Sequence, residues 1–380
     1  MDSKYKEQLK KQGYVFIGEH SAVKTCMYTS KSLAGKGNCY KQKFYGIQSH
    51  RCVQMSVAVN FCNLDCTFCW RERNNSAFGK IDDPAKLADN AIAAQRRLLS
   101  GFGGNQNTPK EKWDESKEPL HFAISLNGEN TAYPRLGEFI AELKRRGHST
   151  FLVTNGQLPE ILRKMERENQ LPTQIYISMS APTPELFNQI DRPLYKDGWD
   201  SLKKSLRWLS TISDKTRTVV RLTIIKEVST QYVKEFSELV NLAQPTYLEV
   251  KSYMHLGASK KRYSKENMGK HQDVVEFCKQ LAPLTGYQLI DDQEISKVVL
   301  MMKEDRADRM MEFPKSLPMY SENQERFDAP FKSYMEIQDV EACDGCTSSD
   351  DIIEVPIAHL MAENPPELET HSEDLIKIKL

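Results

Sequence analysis

The sequence predicts an α/β fold built on a largely parallel sheet. From about residue 84 onwards, short apolar runs alternate with amphipathic stretches, which is the pattern of repeating strand–helix units. Such units form parallel strands joined by right-handed crossovers, in an open sheet or a barrel. A chain of 380 residues fits one barrel-like domain with extensions as well as two smaller domains. We favour the single barrel.

The first helix of this pattern is predicted at about residues 84–99. Asp83 and Pro84 supply a cap and a first-turn proline, and Leu87 lies with other apolar residues on one helical face. The segment 105–119 is polar and is interrupted by two prolines, so it indicates a mobile surface insertion.

Strands and helices then alternate along the chain. The predicted strands are His121–Leu126, Thr150–Thr154, Ile175–Met179, Thr218–Ile225 and Tyr247–Val250. The predicted helices are Leu136–Arg146 and segments near 159–169, 200–210, 230–242 and 270–281.

Polar loops follow several of these strands. Sites in parallel α/β folds lie beyond the carboxyl ends of the strands, so Asn127–Asn130 and Asn155-Gly156 are expected to face one cavity. The same argument selects polar side chains at or near later strand ends, namely Ser178, Ser180, Arg221, Lys226, Lys251 and Tyr253.

Composition narrows the class of protein without identifying a partner. Lys+Arg and Asp+Glu both total 52, the net charge is zero and the mean hydropathy is −0.57. Residues 1–52 carry ten Lys/Arg against three Asp/Glu, whereas residues 343–380 carry two against nine. The basic N-terminal region suits phosphate groups, although an ordinary solvated surface explains this charge as well.

The chain shows no targeting or membrane-spanning pattern. Its first residues lack an apolar signal core, and no later run approaches the ~20 apolar residues that cross a bilayer. We therefore expect a cytoplasmic protein without membrane contact. Six of nine cysteines lie within the first 69 residues, which favours metal ligation over disulfides.

Cys62, Cys66 and Cys69 lie in one short segment. Three such thiolates can ligate a [4Fe–4S] cluster and leave its fourth iron open. The segment resembles the motif of radical S-adenosylmethionine enzymes, in which the open iron chelates the methionine moiety and a 5′-deoxyadenosyl radical is released. The alternatives are a loop of buried thiols or a zinc site, but zinc usually takes a fourth protein ligand and favours paired Cys-x-x-Cys spacing.

This resemblance implies further ligands for S-adenosylmethionine. Gly128-Glu129 resembles the Gly-Glu motif of the superfamily, whose backbone and carboxylate meet the methionine amino group. Asn155, Ser178 and Ser180 are candidates for hydrogen bonds to the ribose or the carboxylate. Polar residues at strand ends also form turns, so both interpretations stay open.

A second group of cysteines lies upstream. Cys26, Cys39 and Cys52 are spaced by thirteen residues each in a polar, basic stretch. Free cysteines commonly behave as small buried apolar side chains, but three in such a stretch are poorly explained that way. We predict a second iron–sulfur cluster, again with an open iron.

Residues 20–255 resemble the archaeal tRNA 4-demethylwyosine synthases, most specifically over 22–73. The resemblance rests on Cys39–Ile47 and Ser49–Cys52, and more loosely on later strands such as Glu249-Val250-Lys251.

The fold implied is a partial (β/α)6 radical S-adenosylmethionine barrel at 54–285. It carries an N-terminal extension with the second cluster at 1–53 and a C-terminal extension with an acidic tail at 286–380.

Enzymes of this family join N1-methylguanosine, next to the anticodon of tRNA(Phe), to two carbons of pyruvate and close a third ring. The resemblance implies that Cys62, Cys66 and Cys69 hold the S-adenosylmethionine cluster. It also implies that Cys26, Cys39 and Cys52 hold a second [4Fe–4S] cluster, whose open iron is a candidate site for pyruvate to bind.

Other roles are proposed for lysines, arginines and aromatic residues near the cysteines. Lys41 and Lys43 are candidates to capture pyruvate as a Schiff base, which requires a lowered pKa. Their alternative roles are phosphate contact or plain surface charge. The candidate tRNA contacts are Arg51, Arg71 and Arg73, with Trp70, Tyr40 or Tyr45 stacking on an extruded base.

Eukaryotic relatives carry a flavodoxin-like reductase domain, whereas some twenty residues precede the matching stretch here. We therefore expect an external electron donor, such as a flavodoxin or ferredoxin, and a monomeric enzyme. Cys343 and Cys346 form at most half of a zinc or redox site, and a turn with two incidental thiols is the simpler interpretation. Two other functions stay open, a radical enzyme acting on a peptide or small molecule and a non-enzymatic, metal-stabilised RNA-binding protein.

Overall fold

The computed structural model describes residues 1–71 and 75–322. These residues form the following helices and strands in chain order: α1 Ser3–Lys11, β1 Val15–Phe16, β2 Ala22–Val23, α2 Met27–Leu33, α3 Tyr40–Tyr45, β3 Cys52–Ser56, α4 Pro84–Leu99, α5 Lys110–Ser116, β4 His121–Ile124, α6 Leu136–Arg145, β5 Ser149–Thr154, α7 Pro159–Arg167, β6 Gln174–Met179, α8 Pro184–Ile190, α9 Gly198–Leu209, β7 Arg217–Ile224, α10 Val233–Ala243, β8 Tyr247–Ser252, α11 His271–Thr285, β9 Gln288–Gln293, β10 Val298–Met302 and α12 Pro318–Glu322.

One sheet contains all ten of these strands, in the order β1-β2-β3-β4-β5-β6-β7-β8-β10-β9. The six strands from β3 to β8 are parallel and stand in chain order, with at least one helix between each consecutive pair. Short antiparallel strands extend both edges. The prediction of an α/β fold with a six-stranded parallel core is therefore confirmed.

The two faces of the parallel strands bury different partners. Residues such as Leu152 and Ile177 belong to the large core formed with the crossover helices. Because side chains alternate along a strand, Phe151 and Tyr176 point to the opposite, inner face, where they pack with Phe44 and neighbouring residues of α3. The N-terminal region therefore covers the interior of the partial barrel.

The crossover helices bury the faces that their periodicity indicates. Helix α6 buries Leu136, Phe139, Ile140 and Leu143, which are three or four residues apart. Burial of each such side chain contributes about 1.5–3 kcal/mol. Across residues 1–71 and 75–322, none of the helices combines the length and the apolar character that crossing a membrane requires.

The strands and helices predicted from residue 84 onwards all occur, with ends shifted by a few residues. The segment 105–119, predicted as a mobile surface insertion, is mostly exposed or half-buried, and it contains the helix α5, which was not predicted. Pro109 stands immediately before the first turn of that helix, where its missing N–H group is not needed. His50 Nε2 lies 2.6 Å from Glu115 Oε2, which ties α5 to the N-terminal region.

Several elements were not predicted. Strands β1 and β2 have two residues each, and β9 is an edge strand whose side chains are at most half-buried. Strands β9 and β10 extend the same sheet beyond residue 285. The division at 1–53, 54–285 and 286–380 remains our proposal, and residues 323–380, including Cys343 and Cys346, lie outside the described part of the chain.

Candidate active site

The first cysteine motif forms the loop that follows β3 and is fastened to the C-terminal end of α8. Thr67 N donates to Ile190 O at 2.7 Å, and Asp65 N donates to Asp191 O at 3.0 Å. Burial raises the pKa of the Cys66 thiol, and the nearby Asp191 carboxylate and the other two cysteines of the motif raise it further. Ligation to a metal offsets this cost, because the metal stabilises the thiolate.

The donor set fits an iron–sulfur cluster. Cys62, Cys66 and Cys69 interact electrostatically around one loop, and all three are only partly exposed. Within the part of the chain that the structure describes, no three His, Cys, Asp or Glu side chains gather closely enough to share one metal ion. A cubane cluster instead presents a separate iron to each thiolate.

The Gly128-Glu129 loop lies directly against the cysteine loop. Glu129 N donates to Phe61 O at 2.7 Å. A Cβ atom on Gly128 would lie 1.8 Å from Ala58 O, and the residue has a φ of +66°. Only glycine fits this position without displacement of the backbone.

The Glu129 carboxylate is occupied by the protein itself. Oε1 accepts hydrogen bonds from Thr131 N, Thr131 Oγ1 and Thr154 Oγ1, and Oε2 accepts one from Asn155 N. Burial raises the pKa of this carboxyl group, and these hydrogen bonds oppose the rise. Glu129 therefore joins the loops after β4 and β5, and its backbone remains the proposed contact with S-adenosylmethionine.

We expect Gly128→Ala to lower the release of 5′-deoxyadenosine from S-adenosylmethionine by about 100-fold, because a shift of about 1 Å in a positioning loop is enough for such a loss. The assay is reductive cleavage by reconstituted enzyme, with iron content measured in parallel. Gly104→Ala is the matched control, since a Cβ there meets nothing within 4 Å. Cleavage by Gly128→Ala within about twofold of this control would contradict the assignment.

The structure brings Asn155 and Ser180 to the cysteine loop. Asn155 Nδ2 lies 3.9 Å from Cys62 Sγ and donates to Asn63 Oδ1 at 2.6 Å. Ser180 Oγ donates to Asp191 Oδ1 at 2.6 Å, and Cys66 Sγ lies 3.5 Å from the same oxygen.

Asp191 is a site residue that the sequence analysis missed. Burial raises the pKa of its carboxyl group to about 6. No motif marks this residue, which follows α8. Ser178 is half-buried on the face of β6 that Tyr176 shares, and it pairs with Arg221 across the sheet.

The second cysteine group also assembles in space. Cys26 and Cys39 precede the first turns of α2 and α3, and Cys52 begins β3. Burial and then the Cys26 sulfur raise the pKa of Cys39 to about 11. Burial raises the pKa of Cys52 as well, with contributions from Cys26 and Cys39. The three thiols therefore occupy one largely buried region.

The two candidate lysines have opposite environments. Lys41 is 8% exposed, and its Nζ lies 4.2 Å from the centre of the Tyr176 ring and 5.3 Å from that of Phe151. Burial, and then the Arg221 guanidinium, lowers the pKa of Lys41 to about 8. Lys43 has a side chain that is 49% exposed and forms an ion pair with Asp291 at 2.7 Å.

A buried polar network holds α3 in the interior of the barrel. Glu249 accepts hydrogen bonds from Tyr45 at Oε1 (2.8 Å) and from Tyr40 at Oε2 (3.1 Å). Arg221 Nε donates to Glu249 Oε2 at 2.9 Å, and its Nη2 donates to the Tyr40 hydroxyl. Burial alone would raise the pKa of Glu249, but the Arg221 and Lys41 cations hold it below its usual value.

We expect Glu249→Ala to lower the free energy of unfolding by about 3–5 kcal/mol, because the Arg221 guanidinium would be left buried without its carboxylate. The change is measured from anaerobic urea unfolding curves. Glu266→Ala removes a fully exposed carboxylate and should leave the free energy of unfolding nearly unchanged. Equal losses in the two variants would show that the buried pair contributes nothing specific.

Lys251 is a second buried amine in this region. Its Nζ donates to Ser296 O at 2.9 Å and lies 5.6 Å from the centre of the Tyr40 ring. Burial, and then Arg221, lowers the pKa of Lys251 to about 8. The sequence marked Lys251 only as a polar residue near a strand end.

The structure describes two of the three arginines that were proposed as RNA contacts, Arg51 and Arg71. Arg51 is 1% exposed and donates to Glu118 O, Gln48 Oε1 and Lys315 O, so its assignment as an RNA contact is corrected to a structural role. Arg71 lies beside Trp70 at the cysteine loop. Arg73 lies outside the described residues.

Tyr40 and Tyr45 are likewise buried in the Glu249 network, which corrects their proposed stacking on an extruded base. Of the three candidate aromatic residues, Trp70 is 44% exposed.

Strand β5 runs between the first cysteine loop and the Lys41 amine near the second cysteine group. Asn155, just beyond its end, contacts Cys62, and Phe151 on the same face contacts Lys41. Four residues of a strand span about 13 Å. The Lys41 amine therefore lies in the interior, about this far from the first cysteine loop along the strand direction. A small substrate and a cofactor can react together across such a space.

Comparisons with known proteins agree with this geometry. The profile of the Radical SAM superfamily matches residues 56–240, and the profile described as wyosine base formation matches residues 242–303. The S-adenosyl-L-methionine-dependent tRNA 4-demethylwyosine synthase of Pyrococcus horikoshii is 43% identical, over 80% of this chain and 90% of that protein. The protein of that name from Methanocaldococcus jannaschii is 37% identical, over 78% and 95%.

Solved structures give the same result. A structure of TYW1 with a lysine–pyruvate adduct bound matches with a TM-score of 0.74 and 34% identity, over 82% of this chain and 99% of that one. A crystal structure of archaeal TYW1 matches with a TM-score of 0.67 and 31% identity, over 82% and 100%.

Proposed function

This chain belongs to the S-adenosylmethionine-dependent tRNA 4-demethylwyosine synthases, and we propose the residues that perform the reaction in it. It is a radical S-adenosylmethionine enzyme that forms a wyosine-type base in tRNA. The substrates are N1-methylguanosine next to the anticodon of tRNA(Phe) and pyruvate, and the product is the tricyclic 4-demethylwyosine. Membership of the family and the buried amine near the second cysteine group both support these substrates.

The enzyme uses S-adenosylmethionine and a [4Fe–4S] cluster. When bound, this cluster supplies the electron that cleaves S-adenosylmethionine to a 5′-deoxyadenosyl radical. We propose Cys62, Cys66 and Cys69 as its ligands. The backbone of Gly128-Glu129 and the Asn155 amide lie beside that loop and are proposed to hold the methionine moiety and the ribose.

Ser178 and Ser180 are less suited to bind the cofactor than Asn155 and the Gly128-Glu129 backbone. The Ser180 hydroxyl already donates to Asp191, and Ser178 lies beside Arg221 further along the inner face of the barrel. We propose that Ser180 positions Asp191 next to Cys66, and that Ser178 faces the bound substrates.

The position of the Lys41 amine is the observation that supports a reaction with pyruvate. A lysine attacks a carbonyl only as the neutral amine, and a pKa of about 8 leaves a useful neutral fraction near neutral pH. The aromatic walls of Tyr176 and Phe151 keep this amine away from water. We therefore assign the Schiff base to Lys41 rather than to Lys43, which is ion-paired at the surface.

The second cysteine group supports a second [4Fe–4S] cluster. Cys39 and Cys52 both lie within electrostatic range of the Lys41 amine. An open iron at this group would bind the carboxylate of a pyruvate held on Lys41. In this proposal Cys26, Cys39 and Cys52 determine where pyruvate binds, and the first cysteine group determines where the radical forms.

The remaining partners are proposed on chemical grounds. Reductive cleavage of S-adenosylmethionine consumes an electron, so a separate donor such as a flavodoxin or ferredoxin is proposed. We also propose that the enzyme acts as a monomer in the cytoplasm. Arg71, which lies beside the exposed Trp70, is proposed to approach the tRNA.

Anaerobic reconstitution tests the proposed function. Enzyme with dithionite and S-adenosylmethionine should release 5′-deoxyadenosine, and it should consume N1-methylguanosine in tRNA only when pyruvate is present. Nucleosides are measured by mass spectrometry after digestion of the tRNA. Conversion that does not depend on pyruvate, or no conversion by enzyme that cleaves S-adenosylmethionine, would overturn the assignment.

A further inference from the structure

The loop after β8 is fastened to the loop that carries Cys62, Cys66 and Cys69. Ala258 N donates to Trp70 O at 2.9 Å, and Arg262 donates to Thr67 O at 2.7 Å and to Cys69 O at 3.1 Å. The hydroxyls of Tyr263 and Thr67 lie 2.7 Å apart. The two loops therefore form one continuous surface beside the radical cluster.

Close contact between the loops depends on Gly257. Its φ is +53°, and a Cβ atom there would lie 2.1 Å from Trp70 O. Such an approach is open to glycine alone. The contact fixes the position of Trp70, the residue that directly follows Cys69.

Trp70 is an exposed aromatic residue in a fixed orientation. Its side chain is 44% exposed, and the Arg71 guanidinium lies 3.8 Å from the centre of its ring. The Arg71 guanidinium also lies 5.4 Å from the centre of the Tyr14 ring. Leu256 is 48% exposed and directly precedes Gly257, whose backbone meets Trp70 O, so a second exposed apolar residue belongs to this edge. A preorganised aromatic ring of this kind is suited to stacking on a base.

The same loop is strongly basic. Residues 254–270 contain five Lys/Arg against Glu266 as their one acidic residue. Lys260 and Lys261 are exposed on the single 3-10 turn Gly257–Lys261, which begins at the contact with Trp70. Aromatic and cationic side chains next to each other are what single-stranded RNA loops bind, because bases stack and phosphates pair with cations.

We propose that Trp70, Leu256, Lys260 and Lys261 form the surface on which the anticodon loop of the substrate tRNA docks. This inference rests on the proposed function, because it assumes that the base to be modified lies in that loop. A base neighbouring the target stacks on Trp70, and the backbone phosphates contact the two lysines. The target nucleoside then enters the barrel next to Cys69, where the radical is formed.

Affinity for full-length tRNA carrying N1-methylguanosine tests the surface, measured with reconstituted enzyme over a range of salt concentrations. Trp70→Ala should weaken binding about tenfold, and Trp70→Phe should restore most of the affinity because a phenyl ring still stacks. Lys260→Glu with Lys261→Glu should reduce the slope of log affinity against log salt by about 1.4–1.8, since two phosphate contacts are lost. Each variant should show a raised KM for tRNA and a nearly unchanged kcat.

Lys234→Glu with Lys279→Glu is the matched control, because it makes the same charge change on exposed positions of α10 and α11. This pair should leave the affinity and the salt slope unchanged.

Iron content is measured in every variant. If Trp70→Ala loses its cluster, the Lys260→Glu, Lys261→Glu variant tests the docking surface instead, because these lysines lie outside the cysteine loop. Equal salt slopes for the two lysine pairs would overturn the docking surface even if wild-type enzyme makes the product. Failure of wild-type enzyme to use pyruvate would instead overturn the proposed function.

Discussion

Replacing Lys41 by methionine is expected to lower formation of 4-demethylwyosine by roughly 1,000-fold or more, because the reaction loses its nucleophile. Methionine fills a similar apolar volume against Tyr176 and Phe151, so the packing of α3 should survive. The product is measured by mass spectrometry of digested tRNA. The release of 5′-deoxyadenosine should persist, since the first cysteine group is unchanged.

Trapping with borohydride identifies the lysine directly. Wild-type enzyme with pyruvate should gain the mass of one reduced adduct, on the peptide that contains Lys41. Lys43→Met and Lys251→Met are the controls and should still be trapped, because neither removes that amine. An adduct of undiminished yield in Lys41→Met would assign the Schiff base to another residue.

Removing Cys26, Cys39 and Cys52 together is expected to separate radical formation from product formation. Reconstituted wild-type enzyme should bind about eight irons per chain, and the triple alanine variant about four. The variant should still cleave S-adenosylmethionine but make no 4-demethylwyosine. The corresponding variant at Cys62, Cys66 and Cys69 should lose cleavage itself.

Cys278→Ala is the matched control for these iron counts. Its thiol lies on the buried face of α11 among apolar residues, and burial raises its pKa without a contribution from another cysteine. It should retain about eight irons. If wild-type enzyme binds fewer than about five irons, or if the Cys26 group proves dispensable for product, the proposal of two clusters fails.

The sequence predicted those features that are encoded by local periodicity or spacing. The apolar pattern after residue 84 specifies the crossover helices and parallel strands, because each one buries a continuous face. Loops at the carboxyl ends of those strands must meet at one edge, which predicted that Asn127–Asn130 and Asn155-Gly156 face one cavity, and Asn155 N does donate to Glu129 Oε2. The spacing of Cys62, Cys66 and Cys69 likewise predicted a radical S-adenosylmethionine enzyme, and the match to the Radical SAM superfamily confirms that class.

Tertiary packing decided what the sequence left open. Lys41 and Lys43 are two residues apart, so α3 turns them to different faces, and only the docking of α3 inside the barrel shows which face is buried. Arg51 has the charge of a phosphate ligand, yet two of its partners are the backbone carbonyls of Glu118 and Lys315, which are distant in the chain. Asp191 belongs to no short motif, and Glu249 was noted only within the family-like segment Glu249-Val250-Lys251, because the partners of both come from other strands and loops.

The most direct test follows one methyl hydrogen of the substrate. Reconstituted enzyme is given tRNA(Phe) that carries N1-trideuteromethylguanosine, together with pyruvate and unlabelled S-adenosylmethionine. We predict that the 5′-deoxyadenosine released during product formation contains one deuterium, because the radical formed at the cysteine loop takes its hydrogen from that methyl group. Unlabelled 5′-deoxyadenosine accompanying full conversion to 4-demethylwyosine would contradict this account.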